Sequence, residues 1–142
     1  MSREAALLGL LGQRNLGVLV TLAPDGRPHL SNVNHVWDAA DRTLRISITD
    51  GRVKTRNVRR DPRASYHVMT PDGWSYVVAE GTATLGPVAQ DPHDDAVEDL
   101  IRLFRDAKGE HPDWDEYRAA MVTDRRLVLR IQVGRVYGKA PG

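Results

Sequence analysis

Residues 16–37 read LGVLVTLAPDGRPHLSNVNHVW, two runs of strand-forming residues on either side of Asp25-Gly26. Leu16 to Leu22 is rich in β-branched residues, and Asp-Gly is strong tight-turn chemistry, so the stretch predicts a β-hairpin. In its second strand Leu30, Asn32, Asn34 and Val36 fall on one face, and His29, Ser31, Val33, His35 and Trp37 on the other. Neither face is wholly apolar, which is odd for a core strand. Two amides on one face need hydrogen-bond partners if buried, and the edge of a ligand is one such partner.

Strand character continues beyond the hairpin. In TLRISIT, Leu44, Ile46 and Ile48 alternate with Thr43, Arg45, Ser47 and Thr49, which reads as a half-buried strand with small hydroxyls on its polar face. RASYHVM and GWSYVVAEGTATL are further strands around the turn TPDG, with Gly81 a candidate bulge. The period then changes. Asp91 is the expected N-cap and Pro92 the first residue of a helix whose apolar stripe is Val97, Leu100, Ile101 and Phe104, ending at Lys108-Gly109. A shorter helix holds Trp114, Tyr117 and Met121, and RLVLRIQVGRVYG closes the chain as a strand with Leu127, Leu129, Ile131 and Val133 on one face. About six strands, mostly joined by hairpins, predict a mainly β, antiparallel barrel-like sheet with helices outside it. Helices do not alternate regularly with strands, which argues against a parallel doubly wound sheet.

The 142 residues fit a single domain over 1–142, long enough for folding to bury roughly 70% of the unfolded chain's surface. With no cysteine, disulfides, thiolate metal sites and cysteine nucleophiles are excluded. No apolar run approaches the roughly 20 residues that cross a bilayer. MSREAALLGLLGQRN reads as a small amphipathic helix rather than a signal peptide. A soluble, cytoplasmic protein without a membrane partner is expected. The net charge of +1 argues against a nucleic-acid partner, since such domains carry a basic excess.

Against that neutrality, DGRVKTRNVRRDPRAS (residues 50–65) concentrates Arg52, Lys54, Arg56, Arg59, Arg60 and Arg63. A helix of about two to three turns fits between Asp50-Gly51 and the stop at Asp61-Pro62. On it Arg52, Arg56 and Arg59 form one stripe and Lys54 points elsewhere, so six cations cannot meet one ligand. The helix start favours an anion, with Ser47 and Thr49 on the strand leading into it and Arg52 and Lys54 as a forked donor and a point charge for a phosphate. Asp50 capping that helix would weaken this reading, and a solvated, ion-paired helix face is the alternative.

Other chemistries find little support. His29 and His35 lie about 20 Å apart along an extended strand, too far for one metal ion. His93 and His111 sit among acids that helix capping explains, and no metal site is expected. No G-x-S-x-G, Rossmann or P-loop glycine pattern occurs. Trp74, in DGWSY, opens a strand and reads as packing.

In order, GVLVT, DGRPHLSNV, RISITDGRVKTRNVRRDPRAS and GWSYVVAEGTA resemble the split β-barrel flavin and deazaflavin proteins related to pyridoxamine 5′-phosphate oxidase. The branch most similar is the actinobacterial one that uses coenzyme F420. The resemblance runs through HPDWDEYRAAMVTDRR to VYGKAPG; KTRNVRRDPRAS and GWSYVVAEG are its most specific parts. It implies a six-stranded split barrel forming a homodimer, with two cofactor clefts at the subunit interface. It implies that Arg52 and Lys54 hold the cofactor phosphate with Asn57 beside them, that Ser31, Asn32, Ser47 and Thr49 line the cofactor, and that Trp74 sits near the cleft. The ending VGRVYGKAPG lacks the Trp and Arg segment by which the oxidases recognise pyridoxal phosphate, so pyridoxamine oxidation is not expected. The arginines suit the acidic oligoglutamate tail of F420, with FMN the alternative. The implied activity is hydride transfer between deazaflavin C5 and a small organic acceptor, with no indispensable catalytic side chain. The alternatives are an FMN-dependent oxidoreductase, a cofactor carrier without turnover, and a haem-handling variant of the barrel.

Overall fold

The computed structural model describes residues 2–142. Its elements run α1 (Arg3–Gln13), β1 (Leu16–Leu22), β2 (Pro28–Asn34), β3 (Val36–Asp38), β4 (Thr43–Thr49), α2 (Val53–Arg60), β5 (Arg63–Met69), β6 (Tyr76–Leu85), α3 (Asp95–Lys108), α4 (Trp114–Thr123) and β7 (Arg126–Lys139). All the strands join one antiparallel sheet in the order β2-β1-β5-β6-β7-β4-β3. No helix among the described residues is long and apolar enough to cross a membrane.

β2 and β3 stand at opposite ends of that order, yet only His35 separates them. The sheet must therefore curl until its two edges meet, which makes it a split barrel. This is also why seven strands are found where six were expected. The single second strand read from the sequence breaks at His35, pairing with β1 before the break and with β4 after it.

His35 is held firmly at this corner. Its backbone N–H donates to the Asn15 carbonyl (3.1 Å). Nε2 lies 2.7 Å from the Leu11 carbonyl, which can only accept, so Nε2 carries the proton and Nδ1 accepts from the Tyr66 hydroxyl at 2.6 Å. Burial pushes the imidazole pKa down, consistent with this neutral tautomer. The Tyr66 ring in turn occupies the space that a side chain on Gly17 would fill.

Alternate residues of β1, β4, β5, β6 and β7 fill the barrel, with Leu19, Leu44, Ile46, Tyr66, Val77, Leu127, Leu129 and Ile131 fully buried and Leu7, Leu10 and Leu11 of α1 plugging one end. At Gly81 the β6–β7 register shifts, as expected of a bulge, and glycine is required there because a Cβ would strike the Gln132 carbonyl. A second, smaller core of Val97, Leu100, Ile101 and Val128 packs α3 against the outside of β7. Helix α3 starts later than its sequence suggests. Asp94, not Asp91, is the N-cap, accepting from the Val97 N–H at 2.9 Å, while its other oxygen accepts from the Gln90 and Asp91 N–H groups. Asp91 and Pro92 form the turn before it.

Candidate functional site

The split leaves backbone without strand partners. β3 pairs with β4 only over Thr43–Arg45, so the rest of that edge of β4 faces the free edge of β2. Between them, walled on the far side by α3 and α4, lies a groove of about 990 Å³. Its floor carries Asn32, Asn34, His35, Ser47 and Thr49.

One end of the groove is cationic. Arg52, Lys54 and Arg126 line it, and none has a carboxylate within 4 Å among the described residues. Burial, then the charges of Arg52 and Arg126, hold the Lys54 pKa below the ordinary lysine value. Arg126 Nε is buried without a hydrogen-bond partner, and its Nη1 reaches only the Ser47 carbonyl at 3.5 Å. Three repelling cations, one with an orphaned donor, form a site that an anion would relieve.

The remaining cations of the basic stretch are already occupied. Arg59 pairs with Asp50 (2.6 Å) and Arg63 with Asp61 (2.7 Å). Arg56 donates to the Gly51 carbonyl, and Arg60 to the Leu22 carbonyl and Asn57 Oδ1. The expected stripe of Arg52, Arg56 and Arg59 does not form, because α2 begins only at Val53. Arg52 is its N-cap in an extended conformation (φ −74°, ψ 157°), which frees it to line the groove with Lys54. Asp50 does not cap the helix; its carboxylate bridges Arg59 and Arg125 (2.5 Å), and the Arg59 hydrogen bond holds its pKa down.

Of the residues singled out in the sequence, Asn32, Ser47, Thr49, Arg52 and Lys54 line the groove together. Ser31 points to the opposite face of β2 from Asn32, its hydroxyl buried and without a partner. Asn57 is on the buried face of α2, its Nδ2 donating to Thr21 Oγ1 at 3.1 Å, which pins α2 to β1. Trp74 sits in the β5–β6 hairpin, 74% exposed, and does not line this groove.

Arg126 is the residue that sequence reading missed. The alternation of Leu127, Leu129 and Ile131 shows that it faces outward, but only the pairing of β7 with β4 sets it opposite Thr49. The apolar wall was missed as well. Phe104, Trp114, Tyr117 and His111 form an aromatic cluster of edge-to-face and tilted pairs with centroids 5.1–5.7 Å apart, and Phe104, Tyr117 and Met121 line the groove together with Trp37. Tyr117 is fixed by its hydroxyl donating to the Leu100 carbonyl at 3.1 Å.

Comparison with known proteins agrees with this architecture. Residues 4–140 match the family described as pyridoxamine 5′-phosphate oxidase. An F420H2-dependent biliverdin reductase of Mycobacterium tuberculosis (strain CDC 1551 / Oshkosh) is 30% identical over 133 residues, spanning 94% of this chain and 85% of the relative. Among solved structures, an F420 reductase superposes with TM-score 0.66 at 23% identity, covering 91% of this chain and 94% of its own. A haem storage protein from Vibrio cholerae superposes at 0.69 with 15% identity, covering 98% and 96%. At those identities the two structures establish the fold alone.

Proposed function

The chain belongs to the pyridoxamine 5′-phosphate oxidase family, and from that premise we propose that it is an F420-dependent oxidoreductase acting on a small organic acceptor. The observation that carries the proposal is the cradle of Arg52, Lys54 and Arg126, unmatched by carboxylates, at one end of a groove walled by apolar side chains. A phosphate there satisfies the orphaned Arg126 Nε and relieves the repulsion that depresses Lys54. The α2 N-terminus, without a side-chain cap, adds backbone donors on the same side. Asn32, Ser47 and Thr49, with the strand edges they stand on, supply hydrogen-bonding groups for a heterocycle's edge. Asn57 supports the cradle indirectly by holding α2 to β1, and Ser31 stands on β2, paired with Leu19 of β1.

The chemistry supplied by bound F420 is hydride exchange at C5. The protein's part is to hold the phosphate, align the ring along the groove and exclude water; no side chain is assigned as acid or base. FMN is the alternative for the same cradle. His35 is no ready haem ligand, since both its ring nitrogens are engaged.

The active form is proposed to be a homodimer. The outer face of β2, β1, β5, β6 and β7 carries Leu16, Leu30, Met69 and Tyr137, exposed by 41–60%, together with Val18, Val20 and Val78. Directly paired residues share a face, so these side chains form one surface continuous with Asn32 and Asn34 at the groove. On this reading a second copy on that surface borders the groove, and Trp74, in the hairpin that joins Met69 to Tyr76, would serve the partner's groove. We take residues 1–142 as one cofactor-binding unit in the cytoplasm.

Oxidation of reduced F420, followed by its absorbance in the presence of biliverdin and other conjugated acceptors, tests the activity. Turnover with reduced F420 but not with reduced FMN supports it. Tight F420 binding without turnover on any acceptor would make the protein a carrier.

A further inference from the structure

We propose that the end of the groove opposite the phosphate cradle is a carboxylate subsite, formed by Arg14 and Lys108, and that the acceptor is a flat conjugated carboxylate. This rests on the cofactor assignment above for which end the phosphate takes.

Both cations line the same groove. Arg14 follows the last turn of α1, where the Leu11 and Asn15 carbonyls grip His35 and Gly12 adjoins the Trp37 ring. Lys108 ends α3, two residues after Asp106, whose carboxylate bonds Arg45 at 2.5 Å. Arg45 pairs with Val36 across the ladder, so both cations stand at the β3 end of the groove. The cradle stands at the Thr49 end, four residues or about 13 Å away along β4. Between the two ends run Val36, Trp37, Phe104, Tyr117 and Met121. Lys108 is held with its ammonium 5.6 Å from the Phe104 ring centroid.

The charge balance says what this end receives. Arg14, Arg52, Lys54, Lys108 and Arg126 line the groove, against one acid, Asp106, which is already paired with Arg45. Neither Arg14 nor Lys108 has a carboxylate partner among the described residues. A phosphate answers three of the five cations. The two that remain stand at the end of an apolar stretch of the groove lined by aromatic rings, which suits a conjugated molecule with an acidic substituent. Both cations also stand at helix C-termini, where they complement the macrodipole. That role affects stability, whereas recognition of a carboxylate affects ligand affinity.

The test is direct binding of biliverdin, which carries two carboxylates, and of its dimethyl ester, by absorbance titration with and without F420. The proteins compared are the wild type and the Arg14→Ala, Lys108→Ala double variant, with F420 affinity and thermal midpoint recorded for each. We expect biliverdin to bind the variant at least about tenfold more weakly, the scale of a lost charge-assisted hydrogen bond. Ester and F420 affinities should stay unchanged. Wild-type affinity for the acid, but not the ester, should also fall with salt, which keeps the proposal testable if the variant does not fold. Equal loss of acid and ester, a loss of F420 affinity instead, or no binding of the acid by the wild type overturns it. Because binding is read without cofactor as well, a protein that takes biliverdin but not F420 would contradict the cofactor assignment and leave the subsite standing.

Discussion

Thr49 and Arg126 face each other directly across the β4–β7 ladder. That pairing brings a cation from the last strand to the start of the basic stretch and turns two cations at this end of the groove into three. A cluster of cations without carboxylate partners emerges from a chain whose net charge is only +1, while the other cations of that stretch are spent on a carboxylate or a carbonyl.

On the proposed reading Arg126 joins Arg52 in holding the phosphate. Arg126→Ala and Arg52→Ala are each expected to weaken F420 binding by about 1.5–3 kcal/mol, the range for a hydrogen bond to a charged group. Arg56→Ala should leave it within error, since Arg56 is turned back onto the Gly51 carbonyl. Titration calorimetry on the three variants checks this, and equal losses would show a diffuse field rather than a cradle.

Lys54 gives the binding a pH signature. In the free protein its pKa is lowered by burial and by Arg52 and Arg126, and a bound anion favours its charged form. Affinity for F420 should thus fall as pH rises, starting below the range where an ordinary lysine titrates. Binding on the alkaline side should take up protons. Lys54→Arg should remove this limb, because arginine stays charged. Calorimetry in buffers of different ionisation enthalpy reads the proton count.

The closure at His35 predicts an acid-sensitive barrel. Burial lowers the folded-state pKa of His35, so below its unfolded value of about 6.5 the unfolded chain binds more protons. Stability should be flat above that pH and decline as pH falls below it, until the folded-state pKa is passed. Urea titrations across this range should show the decline in the wild type and a shallower one in His35→Gln.

Gly17 is needed for the same corner. A Cβ at this position would overlap the Tyr66 ring, which His35 and the surrounding core hold in place. Gly17→Ala should destabilise the protein by about 1–3 kcal/mol through overpacking. Tyr66→Phe, which keeps the ring and removes the donor to His35 Nδ1, should cost a comparable amount by leaving a buried acceptor unpaired. Chemical denaturation of both variants measures it.

Local chemistry made much of this legible in the sequence. Asp25-Gly26, the alternation in TLRISIT and the Leu127–Val133 face marked strands, and Arg52 and Lys54 stood out from residue type and position as the cations that line the groove. The features that stayed hidden were non-local. No glycine or proline marks the break at His35; it comes from pairing with β1 on one side and β4 on the other. Arg126 looked like any cation at a strand start until β7 met β4. The stripe of Arg52, Arg56 and Arg59 failed for a local reason, α2 beginning only at Val53 with Arg52 as an extended N-cap, and the start of α3 shifted because Asp94 gathers three N–H groups where Asp91 gathers one.

The most direct measurement is calorimetric titration of the purified protein with F420 and, separately, with FMN at matched salt, repeated on the Arg52→Ala, Lys54→Ala, Arg126→Ala triple variant. F420 should bind the wild type more tightly than FMN, and its binding should be lost in the variant while the thermal midpoint is kept. Failure of F420 to bind the wild type, or undiminished binding to the variant, would contradict the cradle as the cofactor's phosphate site.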